Sequence, residues 1–156
     1  MRSKLKIGDL VFYKQNLWVI SKIHRGNQYV DLNGSIKVVP ISQVKLLNLH
    51  QNLFHFSLLI HLCWNDDIKR LYLKRLAEKL PIHILKGLFN QLKDFGLTNR
   101  QHRYFFDRLY KEWTYQELIY IEEHIDEYNF TEKEKEIIER RIDYITFYKQ
   151  FKVYYK

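Results

Sequence analysis

Two rhythms of hydrophobic and polar positions divide the chain. From Lys6 to Leu47 the apolar residues come in short bursts separated by turn-forming residues; beyond Asn48 they recur every three or four positions. The first rhythm is that of short strands and the second that of amphipathic helices. Gly8-Asp9 opens a strand that runs through Tyr13, and Lys14-Gln15-Asn16 turns it. Leu17 to Ile23, rich in β-branched and aromatic residues, is the second strand, closed by Arg25-Gly26-Asn27. Gln28 to Leu32 and Ser35 to Val39 flank Asn33-Gly34, a pair suited to a type I′ hairpin because both central residues of that turn need positive φ. Pro40 has no N–H to donate and ends the fourth strand. Ile41-Ser42-Gln43 is a short helical turn, and Val44 to Leu47 the last strand.

Pairing across Asn33-Gly34 places Tyr29, Asp31, Ile36 and Val38 on one face and Val30, Leu32 and Lys37 on the other. Neither face is purely apolar. A bulge, or a helix covering the outer side, would resolve the conflict. The expectation is a small five-stranded barrel over residues 1–48 followed by an all-helical domain over 49–156, an α+β fold.

The helical part begins with Asn48 to Trp64. Asn65 or Asp66 caps a helix over Ile68 to Leu80 whose apolar stripe is Ile68, Leu71, Tyr72, Leu76 and Leu80. Lys69, Arg70, Lys74, Arg75 and Lys79 fall off that stripe and are expected to face outward. Pro81 opens the next helix, striped by Ile84, Leu85, Leu88, Phe89 and Leu92 and stopped at Gly96. Thr98 with Gln101, Thr114 with Glu117 and Thr131 with Glu134 repeat the capping-box pattern, each after a large apolar residue: Leu97, Trp113 and Phe130. They predict helices over 99–112, 115–128 and 132–152, too short to stand alone and therefore bundled.

Gly8-Asp9-Leu10-Val11, Trp18-Val19-Ile20, Tyr29-Val30-Asp31-Leu32 and Val39-Pro40-Ile41-Ser42-Gln43-Val44-Lys45-Leu46 together resemble the SH3-like barrel that ends retroviral and retrotransposon integrases, a module similar to Tudor and KOW barrels. The resemblance covers residues 6–47 alone. It implies a small barrel that binds DNA without strong sequence preference. The chain has neither a catalytic core of three spaced acidic residues nor a His-His-Cys-Cys zinc module, so it is no integrase.

Composition sharpens this. A chain of 156 residues with 46% hydrophobic and 16% aromatic residues is globular, not disordered. Ala77 is its one alanine, while Lys, Ile, Tyr, Phe and Asn abound, the mark of an AT-rich coding sequence as in low-GC bacteria, their phages and mobile elements. Met1-Arg-Ser-Lys lacks an apolar signal core, Leu53 to Trp64 is too short to span a bilayer, and Cys63 has no internal partner. A cytoplasmic protein without membrane association is expected. The net charge of +8 is polarised: residues 1–49 carry 8 Lys/Arg against 2 Asp/Glu, residues 50–111 carry 11 against 5, and residues 112–156 carry 7 against 11. A basic body points to a polyanion or an acidic partner.

The candidate contact residues follow from that charge. In the barrel they are Lys14, Lys22, His24, Arg25, Lys37 and Lys45, with Tyr13 and Trp18 interleaved; basic side chains meet phosphates, and rings stack on bases. On the helices they are Lys69, Arg70, Lys74 and Arg75, with Arg100, Arg103 and Arg108 further on. His50, His55, His61 and Cys63 are spaced unlike any zinc pattern, and phosphate loops and nucleophile elbows are absent, so neither metal, cofactor nor catalysis is expected. The expected function is a non-enzymatic accessory protein, of phage, mobile-element or low-GC bacterial origin, that binds nucleic acid, DNA or RNA. The alternative is a phage- or mobile-element-encoded inhibitor, anti-CRISPR-like or otherwise counter-defence, that grips a host protein or nucleoprotein complex.

Overall fold

The computed structural model describes residues 5–61 and 65–154. Its chain divides into two compact units, Met1–Pro81 and Ile82–Lys156. The first unit therefore runs past the expected boundary at residue 48 and takes in two helices.

Five strands make one antiparallel sheet in unit 1: β1 (Leu10–Tyr13), β2 (Asn16–Ile23), β3 (Tyr29–Leu32), β4 (Ile36–Pro40) and β5 (Lys45–Leu46), in the order β4-β3-β2-β1-β5. The sheet is open, since no ladder joins β4 to β5. Pro40 ends β4 without a donor, and β5 is shorter than expected, pairing only with Val11 and Phe12 of β1. The β1–β2 hairpin is one residue tighter than expected. Tyr13 faces Asn16, and Lys14 and Gln15 take φ of 45° and 64°, an I′-like geometry made without glycine. Asn33 and Gly34 have φ of 51° and 71°, and the Ser35 N–H donates to the Leu32 carbonyl at 3.0 Å, as the β3–β4 turn requires.

The face conflict is resolved by bulges and by a helix together. On β4, two residues, Lys37 and Val38, stand opposite Asp31, because Val30 pairs with Val39 but Leu32 with Ile36. Val38 adopts φ of 57°, rare for a β-branched residue, and its N–H donates to Asp31 Oδ1 at 2.8 Å. On β2, Ser21 is the extra residue between the Ile20–Leu32 and Lys22–Asp31 pairs. The inner face then holds Val11, Tyr13, Ile20, Val30, Leu32 and Val39 as one core. Leu10 and Val19, cross-strand partners on the opposite face, are also fully buried.

Helix α1 spans Leu49–His61, and α2 spans Asp66–Lys79 and packs on β2. Asn65 caps α2, its side chain accepting from the Ile68 N–H at 2.9 Å. Ile68, Tyr72, Leu73, Leu76 and Ala77 are buried along it. Gly8, at φ of 95°, lies so close to α2 that a Cβ there would run into the Leu71 carbonyl and the Arg75 Cβ.

Unit 2 is helical: α3 (Ile82–Leu88), α4 (Asn99–Tyr110), α5 (Tyr115–Glu123) and α6 (Glu132–Tyr154), with 3-10 turns over Phe89–Phe95 and Ile125–Glu127. Gly96, left-handed at φ of 78°, stops the first of these turns. Thr98, Thr114 and Thr131 begin α4, α5 and α6 as expected; α5 ends early, at His124, whose φ/ψ of −117°/29° leaves the helix. Two of the apolar residues before the caps pack on the core: the Trp113 and Phe130 rings meet edge to face at 6.0 Å, and Phe106 meets both. Among the described residues no helix is long and apolar enough to cross a membrane.

Candidate nucleic-acid interface

The division into units redistributes the charge. Residues 1–81 carry 13 Lys/Arg and 5 Asp/Glu, a net of +8; residues 82–156 carry 13 and 13, a net of zero. The excess positive charge of the chain therefore belongs to residues 1–81.

On the sheet, Lys14, Lys22, Arg25, Lys37 and Lys45 are all exposed. Lys14 and Arg25 stand at hairpin turns, Lys22 and Lys37 on the strands that embrace Asp31, and Lys45 opposite Phe12 on the β5 edge. Asp31 organises its end of the sheet. It is buried, and its carboxylate lies 2.7 Å from His24 Nε2, accepts the Val38 N–H and stands 3.7 Å from Lys37 Nζ. The hydrogen bond with His24 holds the Asp31 carboxyl below the usual carboxylate range, against the opposing effect of burial.

Trp18 is no free stacking ring. It packs against the inner core and donates its indole N–H to the Tyr13 carbonyl at 3.1 Å. Tyr13 is buried, with the Lys14 ammonium 5.4 Å from its ring centroid. The exposed rings of the sheet are instead Phe12 and Tyr29. Strict alternation in Leu10-Val11-Phe12-Tyr13 was the signal for Phe12, since inward Val11 and Tyr13 leave it outward.

On α2 the basic run splits. Lys74 and Arg70 are exposed and Lys69 is half-buried, with Arg70 lying 3.7 Å from Asp67. Arg75 and Lys79 depart from the expected outward face. They turn to Asp9, only 1% exposed, with Arg75 Nε at 2.8 Å and Lys79 Nζ at 3.5 Å from Oδ1, while Oδ2 accepts the Lys6 N–H at 2.8 Å. Gly8 brings α2 against the start of β1, and a carboxylate buried there requires cationic partners. Burial pushes the Lys79 ammonium below the usual lysine range, and Asp9 acts in the opposite direction. Arg75 thus holds unit 1 together and leaves the contact set.

Arg100, Arg103 and Arg108 belong to unit 2, on α4. Arg103 Nε donates to Asp107 at 2.8 Å, and Arg108 to Glu112 at 3.1 Å. Arg100 and Arg103 line a cleft of about 620 Å³ with Lys93, Lys133 and Tyr104. A second cleft, of about 610 Å³, is walled by Phe89, Trp113, Tyr120, Ile121 and Tyr128, with the Lys86–Glu117 pair, 3.5 Å apart, in its lining. Burial raises the Tyr128 hydroxyl above the usual tyrosine range. Cys63 lies outside the described residues. Among those described, no three His, Cys, Asp or Glu side chains gather as metal ligands would.

No protein-family model matches the chain, and no curated protein or solved structure does either.

Proposed function

We propose that the chain is a non-enzymatic nucleic-acid-binding protein and that unit 1 is its contact surface. The observation that carries this reading is the charge division: a net of +8 on residues 1–81 and zero on residues 82–156. Exposed Lys22, Arg25, Lys37 and Lys45 on the sheet, with Lys69, Arg70 and Lys74 on α2, supply point charges and guanidinium forks for backbone phosphates. Exposed Phe12 and Tyr29 offer faces on which bases stack without regard to sequence. The sheet order and the 3-10 turn Ile41–Gln43 before β5 support an SH3-like barrel as its closest type, the module that the sequence of residues 6–47 resembles.

A second reading is a phage or mobile-element inhibitor that grips a host protein or nucleoprotein complex in the cytoplasm. Tyr144, Phe147 and Tyr148, each more than half exposed on α6, favour it, because aromatic residues are enriched where proteins meet.

Binding of random-sequence duplex DNA and of RNA, followed by fluorescence anisotropy across a salt titration, tests the first reading. The affinity falls steeply with salt, and exchanging Lys69, Arg70 and Lys74 for Glu flattens the slope. No binding at low salt overturns it. A complex pulled from host lysate that survives both nuclease and high salt then places the protein-partner reading first.

A further inference from the structure

We propose that unit 2 binds a free nucleotide in the cleft between the first turns of α4 and α6, a ligand and a site separate from the surface proposed on unit 1. Four cations line this cleft, Lys93, Arg100, Arg103 and Lys133, against two carboxylates, Asp107 and Glu132. The local net is therefore +2 in a unit whose total is zero. Both carboxylates are already engaged, Asp107 by Arg103 at 2.8 Å and Glu132 by Lys135 at 3.5 Å. Lys93 Nζ is held at the cleft by the Phe130 carbonyl, 3.3 Å away. Arg100 and Lys133 are exposed, and neither meets a carboxylate among the described residues. Gathered cations with spare positive charge fit a dense anion, and guanidinium and ammonium groups together fit a phosphoryl chain.

The rest of the lining argues for a base beside the phosphates. The cleft, about 620 Å³, falls within the usual range for small-molecule sites and is roomier than phosphates alone require. Tyr104 contributes a half-buried ring against which a planar base can stack, and Asn99 a side-chain amide with both donor and acceptor. Arg103 is braced from two sides. Its Nε bonds Asp107, and its guanidinium carbon lies 5.6 Å from the Phe106 ring centroid, so its orientation is set before a ligand arrives.

The test is isothermal titration calorimetry of the full chain with three probes: ATP without metal, adenosine and inorganic tripolyphosphate. ATP binds, adenosine does not, and tripolyphosphate binds at least fivefold more weakly than ATP. Arg100→Glu with Lys133→Glu, two exposed positions that leave the fold intact by circular dichroism, weakens ATP binding at least tenfold. Lys69→Glu with Arg70→Glu on unit 1 leaves it unchanged. The proposal is overturned by no ATP binding at millimolar concentration, or by adenosine binding as well as ATP. Tripolyphosphate matching ATP also overturns it, in favour of a bare phosphate site. Loss of ATP binding in the Lys69/Arg70 variant overturns it too, because the ligand would then sit on unit 1.

Discussion

Arg75 Nε lies 2.8 Å from Asp9 Oδ1, across 66 positions of chain, and neither side chain reaches far into solvent. The pair ties the beginning of the sheet to the middle of α2. Removing one partner leaves the other charge buried, which costs about 3–5 kcal/mol when burial is complete and less where one partner keeps some exposure. Arg75→Ala should therefore destabilise unit 1 by about 2–4 kcal/mol, while Lys74→Ala, one residue away and exposed, stays within about 0.5 kcal/mol of the wild type. Urea denaturation of both variants measures the difference. Equal midpoints would return Arg75 to the contact surface.

Val38 sits at φ of 57° with its side chain more than half exposed, so packing gives little in return for the strain of a β-branched residue in the left-handed region. The Asp31 carboxylate holds it there through the Val38 N–H. Asparagine tolerates that conformation. Val38→Asn should raise stability by about 1 kcal/mol, the usual scale of the left-handed penalty. A lowered melting temperature would count against the bulge.

Asp31 also predicts a pH dependence. Its carboxyl titrates below the usual carboxylate range in the folded state, so the unfolded chain takes up the proton first as pH falls. The stability that Asp31 contributes is complete above its unfolded pKa, near 3.8, and is lost as pH falls through the lower folded value. The wild type should lose stability below about pH 4 from this source. Asp31→Asn should be less stable at neutral pH and show a shallower loss in the acid range. Denaturant midpoints from pH 2.5 to pH 7 decide it, and parallel curves would remove Asp31 from the account.

The strands, helices and caps were legible because each rests on local chemistry: Asn33-Gly34 for the turn, Asn65 for the α2 cap, Thr98, Thr114 and Thr131 for the helix starts. Long-range pairing was not. Nothing local in Arg75 or Lys79 says that Asp9 will be buried beneath them, and their spacing alone put them with Lys74 in solvent. The same holds for Trp18, whose indole N–H finds a carbonyl only once β1 and β2 have paired. The Asp31 bulge was readable only as a contradiction, since an alternating pattern that buries neither face cleanly demands an extra residue without locating it.

The Thr131 cap carries more than its pattern. Thr131 and Glu134 exchange reciprocal bonds of 3.1 and 3.2 Å, and the Glu134 carboxylate also lies 2.9 Å from His102 Nδ1, with both side chains withdrawn from solvent. Among the described residues His102 Nε2 is buried without a hydrogen-bond partner, and the Phe89 ring centroid lies 4.7 Å from the imidazole. Facing a carboxylate, Nδ1 carries the hydrogen of this contact and donates to Glu134. Glu134→Ala removes the acceptor for two buried donors, the Thr131 N–H and His102 Nδ1–H, at about 1–3 kcal/mol each. Glu134→Gln keeps an acceptor and should cost less than half as much. Thr98→Ala, an exposed capping box with the same pattern, should lose only about 1 kcal/mol. Hydrogen exchange of the α4 and α6 amides, alongside urea midpoints, resolves the three. If Glu134→Ala costs no more than Thr98→Ala, the link to His102 contributes nothing and the third cap is an ordinary one.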